Sequence, residues 1–86
     1  MRIEVTRTGG FAAIERHATL DTKGRPDAGH LRTLAEAALA PAPPHPPVPD
    51  GFHYEITVDT RTVQCADPAL TSAQRELIET VLGEGA

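Results

Sequence analysis

Hydrophobic and polar residues alternate from the start of the chain, with the period of two that is typical of a β-strand. Ile3 and Val5 are expected to share one face of this first strand. Gly9 and Gly10 interrupt the alternation, and an apolar-rich second strand follows them. The pattern therefore predicts a β-hairpin with a small tip, flanked on one side by Phe11.

The second strand is less regular than the first. Its apolar face consists of Ala12, Ile14, Ala18 and Leu20. Arg16 interrupts this face, which predicts a bulge or a strand end near residues 15–17. Residues 21–26 contain a glycine and a proline, and their composition predicts a turn or loop.

A helix is predicted next, because apolar residues recur with helical spacing. They are Leu31, Leu34, Ala35, Ala38 and Leu39. Asp27 is the expected N-cap residue, and Pro41 is expected to end the helix. Residues 41–49 include six prolines and are expected to form a stiff connection of polyproline II type. A proline-rich ligand for an aromatic groove is the alternative for this segment.

The second half of the chain repeats the plan of a hairpin followed by a helix. A third strand alternates Tyr54, Ile56 and Val58 with polar residues. Residues 59–61 are predicted to form a short connection, and residues 62–66 return as a fourth strand.

The closing helix has a clear start signal. Thr71 is an N-cap residue with Gln74 three positions later, which is the spacing of a capping box. The apolar stripe of this helix is Leu77, Ile78, Val81 and Leu82. Gly83 is expected just beyond the last helical residue, where glycine is favoured.

The order β-β-α-β-β-α predicts an α+β fold, in which a four-stranded antiparallel sheet carries both helices on one face. At 86 residues the chain is expected to be one small domain, 1–86, that includes the proline-rich connection. The other face of the sheet is left to solvent, to that connection or to a partner.

The formal net charge of −4, without any run of basic residues, argues against nucleic acid or an anionic membrane as the main partner. Cys65 is the single cysteine, so no internal disulfide can form. We expect it to point inward with Val63 as a small hydrophobic residue, and a reactive thiol is the alternative. No stretch reaches transmembrane length and the start of the chain lacks a secretory signal, which predicts a cytoplasmic protein.

Residues that could carry chemistry are few and scattered. The four histidines, His17, His30, His45 and His53, show no metal-binding spacing, and no cofactor is expected. Ser72 is the only serine, and its place in the first turn of a helix explains it. Without a catalytic constellation, we expect a non-enzymatic binding module that presents its loops to a partner.

Residues 7–14, Arg-Thr-Gly-Gly-Phe-Ala-Ala-Ile, resemble the start of the emfourin-type inhibitors of protealysin. These are small bacterial proteins that inhibit thermolysin-like zinc metallopeptidases. Similar features recur at Asp27 and the helix after it, in the Asp-Gly-Phe-His-Tyr-Glu-Ile-Thr-Val run at 50–58, and in residues 67–82. The resemblance extends over nearly the whole chain.

What the resemblance implies is a cytoplasmic inhibitor that sterically occludes the substrate cleft of a thermolysin-like metallopeptidase, and we expect a monomer. The expected contact residues are Thr8, Gly9, Gly10 and Phe11 at the hairpin tip and, in a loop beside it, Thr22, Lys23, Gly24 and Arg25. Phe11 either projects from the tip or packs inward. The alternative function is a non-catalytic scaffold subunit that docks through the open sheet face or the proline-rich connection.

Overall fold

The computed structural model describes residues 1–9, 15–40, 51–66 and 69–85. Within them, four strands and two helices follow one another in the predicted order. They are β1 (Arg2–Gly9), β2 (Arg16–Asp21), α1 (Ala28–Ala38), β3 (Phe52–Val58), β4 (Arg61–Ala66) and α2 (Ser72–Glu84). The β-β-α-β-β-α order and the α+β class are therefore confirmed.

Several predictions from the sequence lie outside the described residues. They concern the hairpin tip at Gly10 and Phe11, the start of the second strand at Ala12 and Ile14, and the proline-rich connection. The strand end predicted near residues 15–17 lies inside them, and β2 begins at Arg16.

The strands form one antiparallel sheet in the order β2-β1-β3-β4. Ile3 on β1 lies opposite Leu20 on β2 and opposite Val58 on β3. Because side chains alternate across a strand, rows of this kind collect the aliphatic residues on one face of the sheet. Both helices cover that face, so the sheet and the helices share one core.

Among the described residues, the fully buried core is aliphatic except for Tyr54. Its sheet residues are Ile3, Val5, Ala18, Leu20, Tyr54, Ile56 and Val58, and its helix residues are Leu31, Leu34, Ala35, Ala38, Leu77, Ile78, Val81 and Leu82. Val63 and Cys65 on the edge strand β4 are only partly buried and pack against this core. Their predicted inward orientation is confirmed, and Cys65 is less enclosed than the sequence pattern indicated.

The capping box at the start of α2 is confirmed. The backbone N–H of Gln74 donates to the Thr71 hydroxyl at 3.1 Å, and the Gln74 side-chain oxygen accepts from the Thr71 N–H at 3.0 Å. The Gln74 amide nitrogen also donates to the carbonyl oxygens of Ala38 and Ala40, both at 3.1 Å. One buried side chain therefore caps the beginning of α2 and satisfies the end of α1.

The predicted end of α2 at Gly83 is wrong, because the helix continues to Glu84 and its C-cap is Gly85. At Gly85, α2 also approaches β2 closely. A Cβ on Gly85 would lie 2.8 Å from the carbonyl oxygen of Thr19 and 2.5 Å from that of Val81. Glycine is thus required two residues later than the helical periodicity alone indicates.

The connection between β3 and β4 is a two-residue turn, Asp59 and Thr60, because Val58 pairs with Arg61. Asp59 has a φ of +55°, which aspartate tolerates better than most residues. Its N–H donates to the carbonyl oxygen of Arg2, and its carboxylate accepts from the Arg2 N–H, both at 2.9 Å. The turn thereby holds the start of β1.

Candidate partner-binding surfaces

The sheet has two ends, and the two predicted contact segments lie at different ones. At the end that we call the tip end, β1 finishes at Gly9, β2 begins at Arg16, β3 begins at Phe52 and β4 finishes at Ala66. The other end, which we call the opposite end, contains the loop that follows Asp21.

The expectation that this loop lies beside the hairpin tip is wrong. Arg2, at the start of β1, pairs with Asp21, whereas Gly9 pairs with Phe52. Seven residue steps at about 3.3 Å separate the two ends of β1 by about 23 Å. Because β2 runs antiparallel to β1, the residues after it return to the start of the hairpin and not to its tip.

At the tip end, Gly9 is constrained both by its backbone and by its neighbours. Its φ is +88°, in the region that favours glycine. A Cβ there would lie 3.0 Å from the carbonyl oxygen of Gly51 and 3.4 Å from the His53 ring. Thr8 beside it is partly buried. Gly9 therefore lets β1 approach the start of β3 closely.

An aromatic layer lies under the same end of the sheet, on the helix-covered face. The Arg7 guanidinium lies over the Phe52 ring, 4.5 Å from its centroid. The rings of Phe52 and Tyr54 are 6.3 Å apart and tilted by 53°. A cation–π contact of this kind contributes about 0.5–2 kcal/mol. The sequence could have predicted this position of Arg7, because Ile3 and Val5 point inward and Arg7 is the next residue of the same alternation.

The loop at the opposite end offers a partner less than its sequence indicated. Thr22 is only 2% exposed, and its N–H and hydroxyl both donate to the Met1 carbonyl oxygen, at 2.9 and 3.3 Å. Lys23 and Gly24 are exposed, and Gly24 has a φ of +79°. Two of the four predicted residues in this loop are thus available at the surface.

Arg25 is held by two carboxylates of the same chain. It contacts Asp27 at 2.9 Å and Glu84 at 3.0 Å. The hydrogen bond from Arg25 is the main cause of the lowered pKa of Asp27, and the same pair raises the pKa of Arg25. Asp27 occupies the N-cap position of α1 as predicted, but its side chain makes no capping hydrogen bond. Arg25 therefore links the loop to both helices.

The open face of the sheet is polar. Thr6 Oγ1 and His17 Nδ1 are 2.8 Å apart, and His17 Nε2 lies 3.8 Å from the Glu4 carboxylate. Thr57 and Thr62 share a hydrogen bond of 3.0 Å on the neighbouring strands. Within residues 1–9, 15–40, 51–66 and 69–85, no group of three His, Cys, Asp or Glu side chains is placed to hold a metal ion. Nor does this part of the chain contain a helix long and apolar enough to cross a membrane.

These features define a small α+β binding protein with a polar open sheet face and candidate contact residues at the ends of its strands. A family model described as Emfourin matches residues 5–82, and the chain belongs to this family. Emfourin is the family of protealysin inhibitors, so membership implies a role as a metallopeptidase inhibitor. Neither the curated proteins nor the solved structures include a significant match.

Proposed function

We propose that this protein inhibits a thermolysin-like zinc metallopeptidase by lying across its substrate cleft and excluding substrate sterically. The observation that carries this proposal is the Emfourin match, which spans nearly the whole sheet and both helices. The proposal includes action in a bacterial cytoplasm, where the inhibitor would restrain its target peptidase.

The tip end is the contact surface that we favour. Gly9 pairs with Phe52 in the sheet, and the Arg7 guanidinium lies over the Phe52 ring. A surface that is already ordered loses little conformational entropy on docking, which favours tight binding. At this end of the sheet β1 finishes at Gly9 and pairs with Phe52, where β3 begins.

The loop of residues 22–25 is the secondary candidate. Thr22 is buried and Arg25 is paired with carboxylates, which leaves Lys23 and Gly24 for a partner. Since this loop lies about 23 Å from the tip end, one narrow cleft would not enclose both.

The alternative of a scaffold subunit has less support. Docking of a permanent subunit favours apolar surface, because obligate interfaces resemble a protein core. On the described strands, the open sheet face instead presents polar residues, namely Glu4, Thr6, His17, Thr19, Glu55, Thr57, Thr62 and Gln64.

The test is a titration of the purified protein into a thermolysin-like peptidase, with cleavage of a fluorogenic peptide as the readout. Stoichiometric loss of activity is expected. Unchanged activity, with a peptidase from the same genome included, would overturn the proposal.

A matched pair of variants then locates the surface. Thr8→Arg adds a long charged side chain at the tip end, and Thr60→Arg adds the same side chain to an exposed turn at the opposite end. We expect Thr8→Arg alone to weaken inhibition. Weakening by Thr60→Arg alone would move the contact to the opposite end.

A further inference from the structure

A cleft lies on the helix-covered side of the sheet, between the start of β2 and the second half of α2. Its volume is about 360 Å³. Arg7 and Arg16 border it from the sheet, where they are opposite each other in the β1–β2 register. Ile78 and Leu82 border it from α2, and Tyr54 borders it from β3. The cleft thus combines two cationic groups with apolar walls.

Neither arginine is neutralised by a carboxylate within the described residues. Arg7 stacks on Phe52, and its Nε atom is buried without a hydrogen-bond acceptor. Arg16 donates from Nη2 to the carbonyl oxygen of Leu82 at 2.7 Å. Two like charges directly across a strand pair repel each other, and a buried donor without an acceptor is costly. An anion beside the two guanidinium groups would offset their mutual repulsion.

We propose that this cleft binds the carboxylate of a small organic acid with an apolar body. A planar guanidinium fork suits a carboxylate, and the walls formed by Tyr54, Ile78 and Leu82 suit a short hydrocarbon. The volume lies near the lower end of the range of about 300–1,000 Å³ for ligand pockets, so the ligand is small. Arg7 and Arg16 belong to the tip end, so the cleft lies beside the proposed peptidase contact, but carboxylate binding does not depend on that contact.

Among the described residues, Glu79 is the one acidic residue that borders the cleft, and it is exposed. Its carboxylate lowers the positive potential at the entrance and repels an incoming anion. The proposal therefore includes a gain of affinity in Glu79→Gln, which removes a charge without disturbing the core.

The experiment is a titration of the full-length ¹⁵N-labelled protein with sodium isovalerate and with sodium acetate, at pH 7 and constant ionic strength. The readout is the side-chain Nε–H signal of Arg7 together with backbone amide signals of β1 and β2. We expect saturable shifts, and tighter binding of isovalerate than of acetate, because only isovalerate has a branched apolar body. Absence of saturation by about 100 mM would overturn the proposal. Equal affinities for the two acids would also overturn it.

Variants assign the binding to the cleft. Arg7→Gln and Arg16→Gln should each weaken isovalerate binding by about tenfold or more, as expected for loss of a charge-assisted hydrogen bond. Arg32→Gln, which removes an exposed arginine of α1, is the matched control and should leave the affinity unchanged. Glu79→Gln should bind more tightly, and it serves as the test should the Arg7 variant fail to fold. An equal loss in Arg32→Gln, or no gain in Glu79→Gln, would contradict the assignment.

Discussion

Replacing either of two glycines by alanine should separate backbone strain from steric crowding. Gly9 and Gly24 both have positive φ, +88° and +79°. A Cβ in this region costs about 1–2 kcal/mol, and the reduced freedom of the unfolded chain returns about 0.4–1 kcal/mol. A Cβ on Gly24 meets nothing within 4 Å. Gly24→Ala should therefore lower the free energy of unfolding by about 1 kcal/mol.

Gly9→Ala has an additional cost. The new Cβ would lie 3.0 Å from the Gly51 carbonyl oxygen, a backbone atom that no rotamer change can move away. Crowding of this kind adds about 1–3 kcal/mol, so the total loss should be about 2–4 kcal/mol. The close contact that alanine would introduce lies at the tip end, where we propose that the peptidase binds.

Urea unfolding followed by circular dichroism measures the two losses, and thermal melts check them. For a domain of this size, 1 kcal/mol corresponds to about 4–8 °C in Tm. Equal losses in the two variants would refute the steric reasoning, since they would show that the Gly51 backbone yields without cost. Inhibition assays below both melting temperatures extend the comparison. Gly24→Ala should inhibit like the parent protein, whereas Gly9→Ala should inhibit less well.

Three further predictions concern the contacts that hold the fold together. Gln74→Leu should cost about 2–3 kcal/mol in urea unfolding, because it removes the amide that serves both helices. Asp59→Ala should cost about 1–2 kcal/mol and Asp59→Gly less, since both variants lose the bond to Arg2 and only glycine relieves the strain of the positive φ. The pKa of Asp27 is below its ordinary value of 3.8 in the folded protein, so the unfolded chain takes up the proton first on acidification. This contribution to stability is present above about pH 4 and declines as the pH falls toward the lowered pKa, and Arg25→Gln should flatten that part of a Tm-against-pH profile.

The sequence predicted those parts of the fold that are determined by residues close together along the chain. Alternation alone identified the inward face of β3, Tyr54, Ile56 and Val58, because the strand period leaves few other arrangements that bury them. The capping box of Thr71 and Gln74 was predictable for the same reason, since both partners lie within one helical turn.

The remaining features depend on how distant elements approach each other. A side chain at position 85 would collide with β2, and helical periodicity carries no information on that contact. Thr22 is buried where it donates to the Met1 carbonyl oxygen, and Met1 is 21 residues away along the chain. The polar composition of its loop resembled an exposed contact segment, which made a structural residue look like a binding residue. The contact residues at the tip end stay predictions.

Contacts at the opposite end of the sheet bear on how the tip end is supported. The opposite end is fastened by the bonds of Asp59 to Arg2, by those of Thr22 to Met1, and by the ion pairs of Arg25. The first two sets of bonds fix the register of β1 against β2 and β3, because a shift of one residue would break them. A register fixed from the opposite end holds Gly9 in place at the tip end, although nothing bulky can be placed there. If the tip end contacts the peptidase as we propose, the bonds at the opposite end keep the sheet behind it in register.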